Sequence, residues 1–159
     1  MRTWIKATIV GAGLIAACLL ALGATAGYFV FRSYEKGSAT EADATREMDG
    51  IRARFGTRTP LIEIVDPRSM DVRVNRLASS DGARVATVHV VNWNAEDGEV
   101  VRTQLPLWLM RFSSVNLLSE IGLTPAKLRL TVQDIERYGP GVVVDYHRPG
   151  AVRLLVWVD

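Results

Sequence analysis

The sequence predicts an α+β chain: an N-terminal transmembrane helix, a helical stalk, then a mostly antiparallel sheet of five or six strands with short helices on one face. Three observations predict it. Residues 7–31 hold no charged side chain, although the 159-residue chain carries 19 Lys and Arg and 17 Asp and Glu. Residues 32–56 turn abruptly polar. From residue 57 onward, short β-branched runs are separated by Gly, Pro, Asn and Asp up to the closing "VRLLVWVD".

Residues 1–6 form a short basic leader with Arg2 and Lys6. The 25 residues that follow, 7–31, would make a helix about 37 Å long, enough for a hydrocarbon core of roughly 30 Å. Other readings compete for the same stretch. Lipidation at Cys18 or cleavage after Ala26 would leave a strongly apolar new N-terminus, and a core helix would show a polar face that this segment lacks. The expected location is therefore the inner (cytoplasmic) membrane, single-pass, with the basic leader inside and the C-terminal domain outside the cytoplasm. The inverted topology would make that domain a cytoplasmic regulatory one. Gly23 and Gly27 lie on one helix face, the spacing that lets two membrane helices pack closely.

Residues 32–56 read "RSYEKGSATEADATREMDGIRARFG". Ser38 with Glu41 resembles a capping box, and Gly56 a C-cap. Between them Ala44, Met48, Ile51 and Phe55 recur at spacings of four, three and four, an apolar seam along a charged helix. The seam either lies on the chain's own domain or pairs with a second copy. The glycine pair and the seam together make a parallel homodimer one expected partner state.

Residues 57–159 are the α+β globular domain. "PLIEIVD", "MDVRVNR", "RVATVHVVNW" and "VVRTQL" read as successive strands, the last two joined across the Asp97-Gly98 turn. Pro106 opens a short helix, "PLWLMRF". Thr124-Pro125 opens another short piece. Thr131 with Asp134 opens "VQDIERY", which Gly139-Pro140 closes. "GVVVDY" and "AVRLLVWV" form a terminal hairpin whose last strand, apolar on both faces, belongs inside the sheet.

The chemistry-bearing residues are sparse. A net charge of +2 with interleaved signs gives no basic stripe, so nucleic acid is not an expected partner. One cysteine excludes an intramolecular disulfide, and the two histidines, His89 and His147, stand 58 residues apart, so no metal or cofactor is expected. The carboxylates Glu96 and Asp97 belong to turn chemistry. Leu107, Trp108, Met110 and Phe112 concentrate bulky apolar surface in one short segment. They are either a helix docked on the sheet or a partner surface.

"IRARFG" with "PLIEI", "VRTQLPLWLMRF", "LRLTVQDIERYGPGVVVDY" and "VRLLVWVD" resemble an uncharacterised family of bacterial single-pass membrane proteins with a small C-terminal α+β domain. The resemblance covers roughly residues 51–159. It implies an anchor, a charged linker and a compact domain, and it assigns no catalytic residue. The expected function is that of a membrane-anchored, non-enzymatic envelope protein whose domain binds a protein partner through the Trp108 segment or a sheet edge. The alternative is an anchored enzyme built on His89 with a nearby acid.

Overall fold

The computed structural model describes residues 20–21, 23–25, 27–28, 34–66, 71–76, 84–111 and 131–159. The chain divides into two compact units, Met1–Ser33 and Tyr34–Asp159. In the first, the described residues are helical, Leu20 and Tyr28 are exposed, and the Thr25 hydroxyl donates to the Ala21 carbonyl at 2.7 Å. A Cβ added at Gly23 or Gly27 would meet nothing within 4 Å.

Among the described residues no helix is long and apolar enough to cross a membrane. This corrects the expected transmembrane helix and, with it, the single-pass inner-membrane location. Cys18 and Ala26, and with them the lipidation and cleavage alternatives, lie outside the described residues, as do the leader, Phe112 and the Thr124-Pro125 piece.

The second unit is built on a seven-stranded mixed sheet, larger than the five or six strands expected. In chain order its strands are β1 (Tyr34–Ser38), β2 (Ile62–Asp66), β3 (Asp71–Val74), β4 (Thr87–Asn94), β5 (Glu99–Pro106), β6 (Gly141–Arg148) and β7 (Val152–Val158). They lie in the order β1-β5-β4-β7-β6-β2-β3. Neighbours are antiparallel except β2 and β6, which run parallel with Ile62 opposite Val144.

The helical stalk is also corrected. Part of the segment read as stalk is β1, paired with β5 from Tyr34↔Thr103 to Ser38↔Glu99. "YEKGS" has no apolar alternation, so the open edge of β5 supplies the reason for its strand conformation. The rest is α1 (Glu41–Ala53), capped by Thr40 rather than Ser38: the Thr40 hydroxyl accepts from the Asp43 N–H. Two bonds tie the junction down, Ala39 N–H to Gly98 O at 3.0 Å and Trp93 Nε1–H to Ala39 O at 2.9 Å.

Helices cover both faces of the sheet, not one. On one face α1 buries Ala44 and Met48 against Val91, Trp93, Val100, Val142, Leu155 and Trp157, with Ile51 and Phe55 partly buried alongside. On the other, α2 (Val132–Tyr138) and the 3₁₀ helix Leu107–Arg111 pack on Val88, Val90, Val144, Leu154, Val156 and Val158. Successive residues of β7 feed the two cores alternately, as the pleat requires. A register shift between Val142 and Val144 lets Val142 join the α1 core while Val143 and Val144 both join the other.

At the start of α2 the Thr131 hydroxyl accepts from the Asp134 N–H while the Asp134 carboxylate accepts from the Thr131 N–H. Burial pushes the Asp134 carboxyl up, but the Thr131 hydrogen bonds and the charges of Arg76 and Arg137 outweigh it and hold it below 3.8. At the other end Tyr138 is locked. Its hydroxyl donates to Thr59 O, and the Arg58 guanidinium lies 4.2 Å over its ring and donates to the Tyr138 and Pro140 carbonyls. Burial raises the Tyr138 hydroxyl's pKa against the pull of Arg58.

Candidate functional site

The short helix expected after β5 is a 3₁₀ helix, Leu107–Arg111. With three residues per turn, positions i and i+3 eclipse. Leu107 and Met110 therefore share the inner side: Leu107 is 3% exposed within the core, and Met110 packs against the same cluster. The Leu107 N–H is held by Ala86 O at 2.8 Å, which fixes the phase of the turn. Trp108 falls on the outer side and is 55% exposed. Of the four expected surface residues, one faces solvent and two face the core. The fourth, Phe112, is outside the described residues.

The seam residues Ala44, Met48, Ile51 and Phe55 all point to the chain's own sheet. Around that apolar strip runs a set of ion pairs. Glu47 accepts two bonds from Arg102, at 2.7 and 2.6 Å, and these hydrogen bonds raise the arginine's already high pKa. Arg52 bridges Asp49 and Asp145, each at 2.5 Å. Arg153, 6% exposed on β7, donates to the Thr45 hydroxyl at 2.8 Å and to Asp49 at 3.2 Å. Its Nε is buried with no hydrogen-bond partner. The sequence held one signal for this network, an arginine in the otherwise apolar run "VRLLVWV", since a charge there needs a partner. It did not name the partner.

His89 and His147 lie on the α1 face at opposite ends. His147 Nε2 stands 3.4 Å from the Glu41 carboxylate, which also accepts from the Gly150 N–H. Glu41 and His147 border an open groove with Thr45, Arg46, Asp49 and Arg153, lined by side chains of both charges. At the far end His89 Nε2 is 2.8 Å from Asp159 Oδ1, and its ring stacks on Trp157 with centroids 4.8 Å apart and planes 6° from parallel. An acid is thus within reach of His89, but the groove does not extend to it. Among the described residues no group of three or more His, Cys, Asp or Glu could hold a metal ion. The glycine pair, Gly23 and Gly27, belongs to the first unit.

No protein-family model, curated protein or solved structure matches the chain, so the resemblance drawn from its sequence gains no support from a relative.

Proposed function

We propose that the Tyr34–Asp159 unit is a non-catalytic binding module that takes a protein partner on the surface around Trp108. The observation that carries this reading is the exposure of that one indole. It is held outward by a 3₁₀ turn whose adjacent apolar residues, Leu107 and Met110, are turned inward. A rigid ring presented in this way offers large contact area at little entropic cost, and tryptophan is enriched where binding energy concentrates.

Trp108→Ala tests the reading. Removing an indole that is 55% exposed should cost less than about 1 kcal/mol of stability, while crosslinking to the partner from a photoreactive residue placed at 109 should fall at least about tenfold. If Trp108→Ala instead costs about 3 kcal/mol, the indole is core cover and the reading fails. The rival, an enzyme using His89 as a base, has the Asp159 contact in its favour. The same ring is also accounted for structurally by its stack on Trp157.

A further inference from the structure

Among the described residues the sheet ends in two edges, β1 and β3, and the charges along them differ in kind. When an edge strand pairs antiparallel with its own copy, the two-fold axis stands normal to the sheet. Each register is then centred on one residue, which faces itself, and residues on either side face each other.

For β1 the register that pairs the whole strand centres on Lys36, bringing two lysines face to face, and the next one centres on Glu35, bringing two glutamates together. No register of that edge sets opposite charges face to face, and Lys36 is already paired with Glu99 of its own chain, so nothing there draws in a copy. For β3, "DVRV", the register centred on Val72 places Asp71 opposite Arg73 of the second copy, and Arg73 opposite its Asp71. Centring on Asp71 or Arg73 would oppose like charges, and centring on Val74 would set Arg73 opposite Asn75 with no ion pair, so Val72 is the centre that gains two attractive pairs.

The backbone agrees. The Asn75 N–H bonds Leu61 O at 2.7 Å, so the odd-numbered residues of this stretch, Arg73 among them, turn their backbone groups toward β2. By alternation Val72 and Val74 turn theirs outward, and a centre at Val72 closes two reciprocal N–H···O=C bonds there. The side chains agree too. Val72 and Val74 pack against the α2-side core, which the second copy would extend, while Asp71 and Arg73 are exposed on the opposite face.

We propose that the chain forms a two-fold dimer by pairing the outer edge of β3 with β3 of a second copy, in the register centred on Val72. The proposal does not depend on the Trp108 surface.

Sedimentation velocity of the full chain over a concentration series tests the proposal, with Asp71→Arg, Arg73→Asp and the doubly exchanged variant alongside. Each single change opposes like charges at both pairs and should weaken the dimer about tenfold, and the exchange should restore it to within about twofold. Should a single variant fail to fold, Arg73→Ser removes the attraction without adding repulsion and should weaken the dimer about threefold. A monomer throughout the series overturns the proposal. So does self-association that ignores the single changes, or an exchanged variant that folds yet stays as weak as the singles.

Discussion

Truncating Met48 to alanine asks whether α1 is a wall of the sheet domain or a free stalk. The side chain is fully buried in a cluster with Val91, Trp93, Val100, Leu155 and Trp157. Met48→Ala removes three heavy atoms, about 2.4 kcal/mol of transfer free energy at about 0.8 kcal/mol per methylene-sized group. The space left between helix and sheet adds a cavity contribution, because the flanking ion pairs Glu47–Arg102 and Arg153–Asp49 hold α1 at its distance and limit collapse. The total comes to about 3 kcal/mol. Helix propensity changes little, since both residues are good helix formers. Urea unfolding followed by tryptophan emission reads the cost, because Trp93 and Trp157 lie in the same cluster. Thermal unfolding should fall by about 10 °C, at roughly 3–4 °C per kcal/mol for a domain of this size. Arg46→Ala, at a side chain 78% exposed, is the control and should move stability by less than about 0.5 kcal/mol. A Met48→Ala cost below about 1 kcal/mol would refute the docking argument. So would a cost that depends on protein concentration, since burial within one chain is independent of it.

Two further perturbations probe the opposite face. A Cβ at Gly141 would stand 2.9 Å from Tyr138 Cε1 and 3.0 Å from its hydroxyl, and Thr59 and Arg58 leave that ring no room to retreat. Gly141→Ala should therefore cost about 1–3 kcal/mol in chemical denaturation, and an unchanged midpoint would show that the ring moves freely. Asp134→Ala removes half of the α2 capping box and should cost about 1 kcal/mol at pH 7. Because the folded carboxyl titrates below its ordinary 3.8, its contribution is complete above that value and is lost as the pH falls through the lower folded one. The stability difference between parent and variant should narrow only below about pH 4; a gap that closes between pH 7 and 5 would assign the effect to another group.

What the sequence determined by itself was local. "VVRTQL", "GVVVDY" and "AVRLLVWV" declare strands because β-branched residues favour a pleated backbone, and an apolar run on both faces of the last one places it inside the sheet. Thr131 and Asp134 declare a helix start because their reciprocal bonds span only three residues. The seam at 44, 48, 51 and 55 was legible for the same reason, as a period along one helix. Tertiary structure decided what that seam faces, and it chose the chain's own sheet. It also decided that "YEKGS" is a strand, because the pairing bonds come from β5, some 65 residues away, and not from the side chains of the segment. Glu47 met Arg102 across 55 residues and Arg153 met Asp49 across 104, separations over which no spacing rule operates. Even Trp108 follows this division: its apolar neighbourhood was visible in the sequence, but its outward turn was set by the 3₁₀ phase that the Leu107 N–H takes from Ala86. Propensity and capping act over a few residues, whereas register, face and charge partners exist only once distant strands have closed on one another.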